Sequence, residues 1–193
     1  MNQKVKNIIQ FALLGLILII LPAGSWLYLQ KGLDYQKSTR ADLGNFGKYE
    51  VRGLFDVSDE VYSNWRFDDR LKLIFHWHDK AQQDIMLKLH EQFKKSNGLN
   101  IIALQDPSMP DVIGAKVHVY QMSLDASEIQ KITSAIGAPK EYQEEEHYPY
   151  FVLLDQNNEI KRFYDYRKED EVKRLIEHVA ILVPKSGRLN ASK

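Results

Sequence analysis

The chain has 193 residues, and its 26 basic and 26 acidic side chains cancel. That balance lays down no broad positive field, so nucleic acid is excluded as an expected partner. The chain has no cysteine, which excludes thiol nucleophiles, disulfides and thiolate metal ligands.

The apolar and charged content suits one globular domain with an appendage. The appendage comes first. No charge occurs from Ile8 to Leu29, and Phe11-Ala-Leu-Leu-Gly-Leu-Ile-Leu-Ile-Ile-Leu21 is solidly apolar. A hydrocarbon core of ~30 Å needs roughly 20 helical residues, so residues 1–30 are expected to form a membrane anchor. Trp26 and Tyr28 stand where an interfacial aromatic belt would lie. A cleaved signal peptide is the alternative, with Lys4 and Lys6 as its basic start. Against it, the apolar run is long and Ala23-Gly24-Ser25 is a weak cleavage signal. Basic residues flank the run on both sides (Lys4 and Lys6; Lys31, Lys37 and Arg40), so charge does not set the orientation.

Residues 31–66 are expected to be a polar connector and lead-in, 67–184 the folded domain and 185–193 a flexible tail. The connector shows no strong period, and a short helix within it is allowed. Leu71-Lys-Leu-Ile-Phe-His-Trp-His78 is a short, aromatic-rich apolar run, expected as a buried central strand. Asp79 caps the helix that follows, and Gln82 completes a capping-box pattern. Ile85, Leu89 and Phe93 recur at spacing four, and Asn97-Gly98 ends the helix. Leu99–Leu104 is a second strand, so strand, helix and strand make a parallel βαβ unit.

After the loop Asp106-Pro-Ser-Met-Pro110, Val117–Met122 alternates as a strand. Asp125 and Glu128 open a helix to about Ile136, with Ile129, Ile132 and Ile136 as its stripe. Tyr150–Leu154 and Glu159–Tyr164 are strands joined by the hairpin turn Asp155-Gln-Asn-Asn158. The last helix runs from Glu169 to about Val183, with Val172, Leu175, Ile176 and Val179 facing inward. The expected fold is α/β: a thioredoxin-like mixed sheet flanked by helices, behind one N-terminal transmembrane helix.

Tyr150–Asp165 followed by Glu169–Glu177 resembles the C-terminal part of Sco/SenC proteins: a strand ending in Asp, a tight turn, a basic strand ending near Tyr-Asp, then an acidic-to-basic helix. Met122–Gln130 resembles that family's segment before its penultimate helix. The resemblance covers roughly Phe67 to Pro184. It implies a single N-terminal anchor with the domain outside the cytoplasm, and a role near cytochrome oxidase assembly. It also implies a Cys-x-x-x-Cys pair and a distant histidine. Asp79 and Gln83 stand about where the thiols would be, and His147 where the histidine would be. Tyr148-Pro149 resembles the X-Pro that precedes a thioredoxin-fold strand and is often cis there.

Apart from the resemblance, His76 and His78 alternate on a strand and share a face. With His147 as a third imidazole and Asp79 as an oxygen donor, they are candidate ligands for copper or zinc. The plainer expectation is that no cofactor binds, one of the pair being a satisfied sheet histidine. His90 and His178 are expected to be solvated, as is the acidic run Glu144–Glu146. No nucleophile elbow, phosphate-binding glycine loop or His-Glu-x-x-His helix occurs. The expected protein is therefore not an enzyme. It is a membrane-anchored binding or assembly protein, with the bilayer and a membrane protein complex as partners.

Overall fold

A computed structural model of the protein describes residues 3–49, 70–96, 98–108, 119–137 and 150–183, with side chains from Leu14 onward. The chain divides into two compact units, Met1–Asp42 and Leu43–Lys193.

The first unit is one helix, α1 (Gln3–Ala41), of 39 residues. At ~1.5 Å per residue it is about 58 Å long, nearly twice the ~30 Å of a hydrocarbon core. The stretch from Lys31, expected as a polar connector with room for a short helix, continues α1 as far as Ala41. Nothing between Lys31 and Ala41 stops it, since that stretch has one glycine and no proline. Near the end, the Ser38 and Thr39 hydroxyls both donate to the Tyr35 carbonyl, at 2.9 and 2.8 Å. Among the described residues, α1 is the one helix long and apolar enough to cross a membrane. Its length and composition fit an anchor and a signal sequence alike.

The second unit is built on five strands: β1 (Leu71–Trp77), β2 (Leu99–Gln105), β3 (Val119–Ser123), β4 (Tyr150–Leu154) and β5 (Ile160–Asp165). Three helices accompany them: α2 (Lys80–Phe93), α3 (Ala126–Ile136) and α4 (Glu169–Leu182). The sheet order is β3-β2-β1-β4-β5. β1 pairs in parallel with β2, and β2 with β3. β4 runs antiparallel to β1, and β5 antiparallel to β4. This is the expected βαβ unit followed by a β-hairpin and helix, and it is thioredoxin-like.

Alternation along the strands splits the core into two layers. Leu71, Leu73, Phe75 and Trp77 pack with Met86 and Leu89 of α2 and Leu175 and Val179 of α4. Ile74, Ile102, Leu104, Val152 and Leu154 pack with Ile129 and Ile136 of α3. Asp125 opens α3 with a complete capping box, and Gly137, at φ 72°, ends it in the left-handed region that favours glycine. The hairpin turn is as expected: Asp155 Oδ1 accepts from the Asn157 and Glu159 amides at 2.8 and 3.0 Å.

His178 departs from expectation. It is buried, not solvated, and hydrogen-bonds Tyr164 through Nδ1 at 2.8 Å. Its position explains this: with Leu175 and Val179 it forms the i, i+3, i+4 stripe that α4 turns inward. His90 is half-buried. Glu144–Glu146 and Tyr148-Pro149 lie outside the described residues.

Lys72 is also buried. Its Nζ donates to the carbonyls of Gln156 and Asp155 at 3.2 and 3.5 Å, so β1 braces the β4–β5 turn. Most of what this side chain contributes is its packed alkyl stem. Lys72→Met, which keeps the volume, is expected to cost less than about 1.5 kcal/mol. Lys72→Ala is expected to cost about 2–3 kcal/mol. Urea unfolding of the two variants checks the difference.

Residues 43–49, expected to be connector, form a strap along the outer edge of β5. Gly44 N–H donates to Lys161 O at 3.0 Å, Phe46 N–H to Ile160 O at 2.9 Å and Tyr49 N–H to Asn158 O at 2.9 Å. In return, Ile160 N–H donates to Gly47 O at 2.8 Å. Phe46 meets Phe163 edge-on, with centroids 5.6 Å apart.

Candidate functional site

Parallel strands deliver their C-terminal ends to one edge of the domain, where α/β folds place their ligand sites. Here that edge holds the end of β1, the turn His78-Asp79 and the start of α2. Asp79 is the N-cap, as expected, and its Oδ1 accepts from the Gln82 amide at 2.8 Å. The Gln82 side chain does not close the box on Asp79. It folds back, fully buried, and accepts the His78 amide at 2.9 Å. The Trp77 indole N–H donates to the Asp79 carbonyl at 2.9 Å. The turn is thus held by its own side chains before anything else touches it.

A residue from across the sheet then closes it. Tyr166 follows β5, two strands away from β1, and its hydroxyl donates to Asp79 Oδ2 at 2.5 Å. The same hydroxyl lies 3.2 Å from His78 Nε2. Burial, and then the bond to Asp79, push the Tyr166 phenol up to about 12. On its other side, His78 Nδ1 sits 3.2 Å from the His76 carbonyl. Asp106, beyond the end of β2, is held below the usual carboxylate range, chiefly by hydrogen bonds from Ser108 and with a smaller contribution from His76.

The structure brings together His76, His78 and Asp79. The imidazole centroids of His76 and His78 are 5.5 Å apart, and His78 Nε2 is 4.0 Å from Asp79 Oδ2. Gln83 lies one turn into α2, with its amide 3.4 Å from the Asp79 carbonyl. His147 lies outside the described residues. Among the described residues, no three His, Asp or Glu side chains converge on one point. Both nitrogens of His78 already face oxygen atoms, so a metal would have to displace one of those contacts. The described residues alone therefore do not make a metal site. Tyr166 was not legible as a site residue, because only the fold brings the end of β5 to a turn 87 residues earlier in the chain.

No family model matches the chain, and no curated protein does. Among solved structures, the chain is similar to a SCO1/SenC family lipoprotein from Bacillus anthracis str. Ames, at 13% identity over 62% of this chain and 85% of that one, with a TM-score of 0.48. It is similar to BsSco, a member of the Sco family of cytochrome c oxidase assembly proteins, at 13% identity over 62% and 84% of the two chains, TM-score 0.46. It is also similar to yeast Sco1 with copper bound, at 13% identity over 67% and 86%, TM-score 0.41. The chain is thioredoxin-like by the strand order and register of its own sheet, and its likeness to Sco/SenC proteins is one of fold at low identity.

Proposed function

We propose that this chain is a membrane-anchored, thioredoxin-fold binding protein that carries out no redox chemistry and serves the assembly of a membrane protein complex. One observation carries the reading. At the turn where the sequence resemblance puts the first thiol, both Asp79 oxygens are committed to structure, one to the Gln82 amide and one to Tyr166. A chain without cysteine has no thiolate to attack a disulfide. What remains at that edge is a rigid, polar surface suited to docking. α1 holds it at a membrane, and the Sco/SenC resemblance favours the side outside the cytoplasm.

The second reading is an imidazole-based copper or zinc carrier using His76, His78 and His147. The 5.5 Å separation of the His76 and His78 rings favours it, and His147 would supply the missing ligand. The two readings part in one experiment. The full chain, purified in detergent, is melted with and without Cu(II) and Zn(II), and used as bait for membrane complexes. A binding protein is expected to show no metal-dependent change in Tm and to retain its partner when His76, His78 and His147 are replaced by Ala. A carrier raises its Tm with metal by mass action and loses that rise in His147→Ala. That second pattern would replace the first reading.

A further inference from the structure

An exposed sheet edge recruits extended chains unless something covers it. On β5 the cover is the strap, residues 43–49, in which Tyr49 packs against the core layer and the rest is lightly held. Four main-chain hydrogen bonds hold it. Among the described residues, its strand pairing amounts to a single bridge, Lys48 with Glu159. Gly47, beside that bridge, has φ 110°, which interrupts regular strand geometry. Phe46 contacts Phe163 but keeps 53% of its surface exposed. One residue, Asp42, separates the strap from the end of α1, so the piece that closes the sheet is the piece nearest the anchor.

We propose that the strap exchanges between copies: residues 43–49 of one protomer seat on β5 of a second, and the reverse, giving a two-fold strap-swapped dimer at the membrane. The one sequence shown to fit the register of this edge, and to meet Phe163 with an aromatic ring, is the strap itself. A second copy supplies it with every bond unchanged, so exchange is a low-cost route to a dimer. α1 confines copies to one bilayer, which raises the effective concentration of one strap at another copy's β5.

The absence of cysteine makes this directly testable, because introduced thiols report only on each other. Lys48 and Glu159 are flanked by the bonds Ile160 N–H to Gly47 O and Tyr49 N–H to Asn158 O. They are therefore a non-hydrogen-bonded antiparallel pair, with Cα atoms expected about 4.5 Å apart, within reach of a disulfide. Full-length Lys48→Cys and Glu159→Cys copies, carrying different tags, are co-reconstituted in liposomes and oxidised. Exchange predicts a mixed disulfide dimer severalfold above that of Lys48→Cys with Lys88→Cys, an exposed α2 position that records random collision. The double variant in one chain tests whether the pair oxidises. If that variant closes on itself while the mixed copies give no more dimer than the collision control, the proposal is overturned. A thiol-free readout covers a pair that fails to oxidise. The unmodified protein should show dimers when its copies are counted by photobleaching in the same liposomes. Monomers throughout also overturn the proposal.

Discussion

Tyr164→Ala is expected to destabilise the domain by about 3–5 kcal/mol, in the range of a large aromatic removed from a closed core. Tyr164 is fully buried between β4 and α4, in the layer that holds Phe151, Leu153, Leu175 and Val179. Its ring fills volume that no neighbour can reach without moving the sheet or the helix. Its hydroxyl adds a second role, the 2.8 Å bond to buried His178. Tyr164→Phe keeps the ring and removes that bond. It is expected to cost about 1–2 kcal/mol, because a buried ring nitrogen then loses a partner. His178→Phe should cost a similar amount alone and little more in combination with Tyr164→Phe. A double-mutant cycle by urea unfolding reads that coupling. Strict additivity of the two single changes would show that the bond contributes nothing.

The same residue shows where sequence patterns stop. The stripe on α4 was legible as Val172, Leu175, Ile176 and Val179, because apolar side chains at helical spacing announce a buried face. His178 sits on that face as surely as Val179, yet a histidine carries no hydrophobic signal and its partner Tyr164 belongs to a strand. Elements with local causes were legible. The apolar runs of β1 and β2 gave the parallel unit, and Asp125 with Glu128 gave the start of α3. Features with distant causes were not. The strap's Gly-Asn-Phe-Gly has no alternation, and only its pairing with β5, over 100 residues away in sequence, makes it extended. Tyr166 enters the site because the fold places the end of β5 within its reach of the β1–α2 turn, and no spacing in the sequence encodes that. Asp79 was legible as a cap from Gln82 three residues on, while its second bond was hidden for the same reason as Tyr166.

Asp79→Ala is expected to cost about 2–4 kcal/mol. Losing the α2 cap accounts for roughly 1 kcal/mol. Stripping the half-buried Tyr166 hydroxyl of a charged acceptor accounts for about 1–3 kcal/mol more. Asp79→Asn separates the two, since asparagine caps nearly as well but offers Tyr166 a neutral oxygen. The phenol reports the change directly. In the native protein burial, and next the Asp79 bond, raise it from 10.0 to about 12. A raised value means that the folded state holds its proton after the unfolded chain has released it. This contribution to stability is therefore complete below pH 10.0 and is lost as pH rises toward about 12. In Asp79→Asn and Asp79→Ala the phenolate should form at lower pH, in ultraviolet difference titration, and stability should fall less steeply through that window. An unmoved Tyr166 titration would mean that burial alone sets it and that the β1–α2 turn is not closed from across the sheet. The docking surface assigned to that turn would then lack the rigidity on which the binding role rests.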